Sequence, residues 1–544
     1  MILQALVITF IGLIAYWWAN QGAFSALLHL TCVILAGAMT LAFWEPISVA
    51  LLSKLGDHTW SVVFLGLFAG FLLVFRVAFD RLVPGNLNFP QWVNYVVGGT
   101  FGAMAGVLTV GMLIIGMGFT QSLNSLMEFY GMTRLAEERG QPFKSESLWV
   151  PAHEITTGFF GLLSAGSLSP VTATPLKKYY PDLANTALSL HRDSWGSGRG
   201  KTSVAPSSVQ VGSFGYDPNF EWDAVGGASP EVGAYSLRLT FDVTAFDRGQ
   251  GLTLSAAQAK LIGQSNGGRA AVVTHPRKYA EEVAGGDRGT FDFDSIQNYA
   301  TNPAGQQSAD VDLIFPAAGL DRVDFAMVKG LRLKLPQPTV VSIGELVAAA
   351  ESESRVAAMS SDGAPELSSS DLAEGNSLQP LQLGINQASG LTLVEDKKGN
   401  WVESGKGKYK KAGTFSVSRS QRINGFVQPP GTAIVRLDLT RGQATVDLEE
   451  LRKQLAPGAR VRLVDADNRA YSATGYVWDM GTEVQLMYDP VGLVEELRSF
   501  PGLSSGGTQK LWAVFVVPIG ATLKQVRIGD TVVGAAELTT KGEN

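Results

Sequence analysis

The stretch Trp92–Phe119, WVNYVVGGTFGAMAGVLTVGMLIIGMGF, decides how the rest of the chain is read. It holds 28 residues without a single charge. As a helix rising about 1.5 Å per residue it would exceed the roughly 30 Å hydrocarbon core of a bilayer. Three similar runs precede it, Ile2–Trp18, Gly22–Trp44 and Trp60–Phe79, of 17, 23 and 20 residues. Lipid offers no partner to an open backbone, so the four runs are predicted to be spanning helices. Rings that favour the membrane interface mark their ends: Trp17, Trp18, Trp44, Trp60, Trp92 and Tyr95. The first run lacks a basic segment before it and a small-x-small site after it, so it reads as a retained span and not a cleaved signal.

Within the fourth run Gly98, Gly102 and Gly106 recur every four residues. Small residues at this spacing share one helix face and allow another backbone to approach. The ridge predicts a helix seam, inside the bundle or between subunits. Two ionisable residues fall within spans, His29 in the second and Arg76 near the end of the third. Intramembrane charge marks functional candidates. Arg76, however, is near enough to Asp80 and Arg81 to snorkel to the surface, and His29 is expected to hydrogen-bond a neighbouring helix. No carboxylate lies well inside a span, so a proton relay is not indicated.

The full chain has 544 residues and a net charge of −6. Residues 1–120 hold three basic groups (Lys54, Arg76, Arg81) and three acidic ones (Glu45, Asp57, Asp80). The other 424 residues therefore carry 40 basic and 46 acidic groups, and the whole net charge. That split is the pattern of a membrane domain joined to a polar one. No basic block is available for nucleic acid. A single cysteine, Cys32, rules out a disulfide framework and a multi-cysteine metal site. Positive charge near the span ends is close to balanced and does not fix orientation.

The spans resemble the colicin V production protein (CvpA) family. The resemblance rests on a short uncharged link between the first two helices and on the Arg-containing turn Phe75-Arg76-Val77-Ala78-Phe79-Asp80-Arg81-Leu82. It rests also on Gly98-Gly99-Thr100-Phe101-Gly102-Ala103-Met104-Ala105-Gly106 in the fourth. It covers roughly residues 1–165. It implies a four-helix domain of the bacterial inner membrane, linked to colicin V export and envelope maintenance, with no catalytic residues to carry over. Some members append an extracytoplasmic domain, in certain cases a serine protease, which implies an extracytoplasmic C-terminal region here.

Beyond residue 120 the pattern changes. Ser125–Arg139 and Trp149–Leu163 read as helices; the second is too short to span and fits either an interfacial or re-entrant helix or an ordinary amphipathic helix against the soluble part. Residues 121–170 are thus amphipathic, and 171–230, rich in Ser, Gly and Pro, read as a linker. Alternation of period two begins at Tyr235, Leu237, Leu239, Phe241 and Val243. A first β-sandwich is expected over 231–340. A capping box at Ser342 and Glu345 then opens a short helix, and 341–382 ends in a Ser- and Glu-rich mobile tether. A second sandwich is expected over 383–540. The two look like copies. Strands ending in Pro316 and Pro518 are followed by Leu320, Val323 and Phe325 in one, and by Leu523, Val526 and Ile528 in the other, offset by one residue. The fold class is thus a four-helix membrane domain followed by an all-β region of two tandem immunoglobulin-like sandwiches.

Several chemistries come close and fail. Gly200-Lys201-Thr202 mimics the end of a phosphate-binding loop, but Trp195 occupies the required glycine position and Pro206 follows. Ser504 and Ser505 lie in a serine-protease-like loop without its preceding Gly and Asp, and neither His153 nor His275 sits in a recognisable triad setting. Asp465-Ala-Asp467-Asn468 and Asp292-Phe-Asp294 are too short for a calcium loop and read as turns. Lys408, Tyr409, Lys410 and Lys411 read as a solvated loop. No cofactor is called for. The reading is a non-enzymatic membrane protein whose β modules recognise an envelope partner or their own kind, with self-association through the glycine-rich fourth helix as a separate expected contact. A membrane-tethered hydrolase and a channel or transporter subunit are the alternatives.

Overall fold

The computed structural model describes residues 2–83, 85, 87, 89–120, 125–134, 142–144, 146–164, 175–189, 201–222, 231–247, 251–265, 267, 270–283, 288–293, 298–385, 390–396, 399–411, 417–429, 431–490, 494, 496–504 and 509–542. The chain has an N-terminal helical region with four long apolar helices, followed by a predominantly β region with several sheets.

The four helices are α1 (Ile2–Gln21), α2 (Ala23–Leu55), α3 (Thr59–Leu82) and a fourth span, Gln91–Gly118. In the fourth, α4 (Gln91–Val93) passes through one π turn, Asn94–Gly98, into α5 (Gly99–Gly118). All four are long and apolar enough to cross a membrane. Their outward residues are large and apolar: Phe10, Leu13 and Trp17 on α1, Leu73, Val74 and Val77 on α3. Such a surface is stable only against lipid or another apolar face.

Helix α5 is the axis of the bundle. Its glycines let three helices close on it. A Cβ added at Gly102 would lie 2.9 Å from the Ala15 Cα, and one at Gly106 would lie 3.2 Å from the Ile11 Cα. At Gly98 it would meet the backbone of Trp18, Gly22 and Ala23 at 3.3 Å. The ridge is thus a seam to α1 within one chain. Gly116 receives Leu65 of α3, and Gly111 receives Thr156 of α6 (Ala152–Leu163). Helix α6 therefore lies against the bundle, with Phe160 filling the space beside Gly37 of α2.

Two expectations for the connecting region are corrected. Residues 125–134 are not helical: Met127, Glu128 and Gly131 take positive φ, and Met132–Arg134 forms β1, paired with β2 (Pro142–Lys144). The remainder of that expected helix lies outside the described residues. The stretch read as a linker supplies α7 (Leu176–Tyr179), α8 (Leu183–Ser189) and a long strand, β3 (Val209–Glu221).

Strand β3 opens the first β unit. With it come β4 (Val232–Asp242), β5 (Ala259–Ser265), β6 (Ala270–Thr274), β7 (Lys278–Glu282) and β8 (Arg288–Asp292). Then follow β9 (Ser308–Pro316), β10 (Arg322–Val328), β11 (Leu331–Leu333) and β12 (Thr339–Val340). They form one sheet of order β12-β3-β4-β9-β7-β8 and a second of order β11-β10-β5-β6. Alternate residues, Leu237 and Leu239 of β4, Val311 and Leu313 of β9, Ala326 and Val328 of β10, meet in a common core.

The second unit repeats this plan. It uses β13 (Leu372–Glu374), β17 (Thr432–Asp438), β18 (Val461–Asp465), β19 (Ala470–Asp479), β20 (Glu483–Tyr488), β21 (Lys510–Pro518), β22 (Thr522–Ile528) and β23 (Thr531–Thr539). The ladders β17·β21, β21·β19, β19·β20, β18·β22 and β22·β23 reproduce β4·β9, β9·β7, β7·β8, β5·β10 and β10·β11. An added hairpin, β14 (Leu391–Asp396) and β15 (Gly399–Lys410), with β16 (Ile423–Phe426), extends one face. Strand β19 pairs first with β18 and then with β21, so it bends from one face to the other. In the first unit the same path breaks at Pro276 into β6 and β7, because proline has no N–H to give a ladder.

The pairing also corrects the sequence alignment of the copies. Both hairpins close with Val328 opposite Leu331 and Ile528 opposite Thr531. Val328 is therefore equivalent to Ile528, and Ala326 to Val526. The length difference sits in the preceding turn, Ala317–Asp321 against Ile519–Ala521. The tether is corrected too. After the helix Ile343–Ser354, capped by Ser342 accepting the Glu345 amide, the chain lies on the second unit: Arg527 donates to Ala357 O and Gln525 to Met359 O, each at 2.7 Å. Residues 372–374 then join its sheet.

Candidate functional site: the junction of bundle and first β unit

Helix α2 sets the site. Its 33 residues would span about 50 Å, well beyond one hydrocarbon core. Glu45, 22 residues after Ala23, therefore emerges at the far side, where the chain leaves α5 for the β region. Trp44 beside it is nearly fully buried, with Trp60, Phe64, Phe119 and Tyr180 around it at ring separations of 5.0 to 5.6 Å.

The β side of the junction follows from the strand period. In β10, Ala326 and Val328 face the unit's core, so Phe325 and Met327 face out. In β5, Ala259 and Leu261 face in, so Lys260 and Ile262 face out. In β11, Leu331 and Leu333 face in, leaving Arg332 outside. These outward residues meet the bundle. Phe325, Met327 and Ile262 share one continuous apolar cluster with Trp44, Phe64, Met112 and Phe160. Leu176, Tyr180, Leu183 and Ala187, from α7, α8 and the turn between them, fill the space between the two parts.

Two charged contacts lie in this apolar layer. Arg332 Nε donates to Glu45 Oε1 at 3.1 Å, with both side chains about nine-tenths buried. Its guanidinium lies 3.4 Å from the Tyr179 ring centre, 4.0 Å from Phe325 and 4.5 Å from Tyr180. A planar cation suits such a slot, since it stacks on rings while bonding at its edge. Burial, and then the Glu45 carboxylate, push the Tyr180 hydroxyl well above its usual range. The second contact joins Lys260 to Asp182 at 2.7 Å, with Thr186 accepting from the same ammonium. Burial would raise Asp182, but Lys260 outweighs it and brings the carboxyl down. Nearby His275 Nδ1 lies 2.9 Å from Ala259 O; burial and then Lys260 lower its pKa, so it stays neutral at pH 7.

The equivalent face of the second unit is built for another purpose. Gln525 and Arg527 stand where Phe325 and Met327 stand, and they bind the tether. One copy docks on the bundle, and the other clasps the connecting chain.

The other sequence candidates fall elsewhere. His29 and Arg76 come together at the opposite end of the bundle. The imidazole stacks on Trp18 with centroids 4.2 Å apart, and the Arg76 guanidinium lies 5.0 Å from the Trp18 ring. Arg76 pairs with Asp80 at 2.7 Å. The expected interhelical hydrogen bond of His29 is replaced by this stacking. Lys201 bonds Thr244 O through its side chain and accepts from Lys329 through its carbonyl; a short turn and β3 follow, and 195–200 lie outside the described residues. His153 is buried on α6, and Ser504 lies in the loop after Leu497–Ser499, with Ser505 outside the described residues. Asp465 forms a turn, accepting the amides of Asp467 and Arg469 at 2.9 Å. The basic cluster is not a solvated loop: Lys408, Tyr409 and Lys410 lie on β15, Tyr409 is buried, and Lys408 and Lys411 pair with Glu483 and Asp479. Nothing in the sequence flags Glu45 and Arg332, which lie 287 residues apart.

No protein-family model matches this chain, and no curated protein matches it. Among solved structures, the crystal structure of the S-layer protein rSbsC(31-844) aligns at 11% identity over 92% of this chain and 72% of that one, with a TM-score of 0.10.

Proposed function

We propose that this chain is a non-enzymatic, multi-pass protein of the bacterial inner membrane that holds a pair of duplicated β units as a recognition module of the cell envelope. The observation that carries the reading is the continuous apolar layer from Trp44 to Phe325 and Met327, pinned by Glu45–Arg332. A module joined this way keeps a fixed height and orientation over the bilayer, which suits presentation to a partner better than a free tether would. The CvpA-like glycine ridge and Arg-containing turn support a role in toxin export or envelope maintenance. Charge does not set the orientation, since Arg76 and Arg81 at the end away from the β units are balanced by Lys54 and Lys144 at the end facing them. An extracytoplasmic β region is what the CvpA resemblance implies, since some members append such a domain after the fourth helix.

The test is a pair of fusions after Asn544. Alkaline phosphatase should be active there and a fluorescent protein dark, with the chain retained in carbonate-washed membranes. A bright fluorescent fusion with inactive phosphatase would reverse the orientation. Recovery of the intact chain in the supernatant would end the reading.

A further inference from the structure

A cleft of about 440 Å³ lies between the two β units. From the first come Tyr279, Glu281, Phe291 and Thr301; from the second come Asp467 and Arg469. This volume is within the range of small-molecule sites. Its first-unit strand residues come from the sheet of β7 and β8, not from the β5, β10 and β11 sheet that meets the bundle.

Tyr279 and Phe291 border the cleft but belong to the core of the first unit, being 5% and 8% exposed, so only a small part of each ring reaches it. Tyr279 packs on Phe291 at 5.5 Å and on Phe293 at 4.4 Å, and the Arg469 guanidinium lies 5.3 Å from the Phe291 ring centre. The remaining lining mixes Ala466, Pro518, Ile519 and Ala521 with polar residues, and two of its polar groups are unsatisfied. Thr301 is 6% exposed, and its hydroxyl has no hydrogen-bond partner although it lines the cleft. The Arg469 Nε is likewise buried and unpartnered. Buried donors and acceptors left open are costly, so a buried hydroxyl facing a cavity points to a polar occupant.

The carboxylates do not ask for a cation. Asp292 is paired with Lys278 at 2.7 Å. Asp465 accepts two amides and the Tyr471 hydroxyl. Glu281 accepts the Thr301 amide, and burial pushes its pKa well above the ordinary carboxyl range. Asp467 and Arg469 add one charge of each sign to the lining. What remains is a set of hydrogen-bonding groups whose charges balance, with Asn298, Thr301 and Thr432 among the uncharged ones.

We propose that the cleft between the β units binds a neutral, polyhydroxylated ligand of the oligosaccharide class, with Thr301 and Glu281 bonding hydroxyls and the exposed margins of Tyr279 and Phe291 in van der Waals contact with it. This names the ligand of the recognition module, and so rests on that reading, but it requires only the two β units and neither a particular membrane nor an orientation.

The test uses the full chain in lipid nanodiscs, which avoid sugar-headed detergents, and isothermal titration with cellotetraose, chitotetraose and tetralysine. One of the two tetrasaccharides should bind with a Kd between about 1 μM and about 1 mM. Thr301→Val should weaken it about tenfold, the loss of one hydrogen bond, while leaving the melting temperature unchanged or higher. Phe291→Leu should weaken it as well. Absence of binding by both sugars, binding untouched by Thr301→Val, or tetralysine binding in their place would overturn the proposal. Failure of the fusion reporters with sugar binding intact would strike only the localisation.

Discussion

Removing the Arg332 guanidinium should loosen the first β unit from the bundle. The pair it forms with Glu45 is about nine-tenths buried on both sides, and the cation rests on three rings. Breaking one partner of a buried pair leaves an uncompensated charge and costs about 3–5 kcal/mol. In Arg332→Met the stranded group is Glu45; in Glu45→Leu it is Arg332. For a unit of this size each kcal/mol moves the melting temperature by roughly 3 °C, so either variant should melt about 10 °C lower. Glu45→Leu combined with Arg332→Met leaves no charge behind and should recover most of the loss. The assay is thermal unfolding of the three variants in nanodiscs by near-ultraviolet circular dichroism, read as a double-mutant cycle. Two single variants that each cost under about 0.5 kcal/mol, or a double variant equal to the sum of the singles, would refute the coupling.

The remaining predictions concern other parts of the molecule. Gly102→Val puts a branched side chain 2.9 Å from the Ala15 Cα and should destabilise the α1–α5 seam by about 1–3 kcal/mol, whereas Gly12→Ala, with nothing within 4 Å, should be silent; detergent-resistant proteolysis of α1 reads the difference. Lys329 is fully buried, donates to Lys201 O at 2.7 Å, and has its pKa lowered from 10.5 to about 8 by burial. Its folded value is depressed, so the unfolded chain binds the extra proton between about pH 8 and 10.5, and stability should rise across that window by roughly 3 kcal/mol. Lys329→Met should flatten this rise in denaturant titrations. Glu281 has a raised folded pKa, so its contribution is present at low pH and is lost as pH climbs above the ordinary carboxyl range; Glu281→Gln should remove that loss.

Much of the architecture is legible in local pattern. Uncharged runs of helical length fix four long apolar helices, because a backbone without water must satisfy its hydrogen bonds within its own segment. The period-two alternation around Leu237, Leu239 and Phe241 fixes a strand, because successive residues face opposite sides. The glycine spacing in the fourth span marks a close helix contact. Local pattern misleads where chain context overrides it. The loop of 125–134 carries helix-like composition yet turns at residues with positive φ, and the Ser-rich tether is ordered by Arg527 and Gln525. A Ser- and Pro-rich stretch likewise hides β3, whose partner β4 supplies the hydrogen bonds its own composition does not announce.

What the chain alone determines is therefore the set of parts: four lipid-compatible helices and two copies of one β plan. Which copy docks on the membrane helices is decided only in three dimensions. Phe325 and Arg332 look like ordinary strand residues until Tyr179, Tyr180 and Glu45 arrive beside them from elsewhere in the chain. A pattern of period two records that a side chain faces outward, but the partner on that side comes from the packing of distant segments, which no local periodicity encodes.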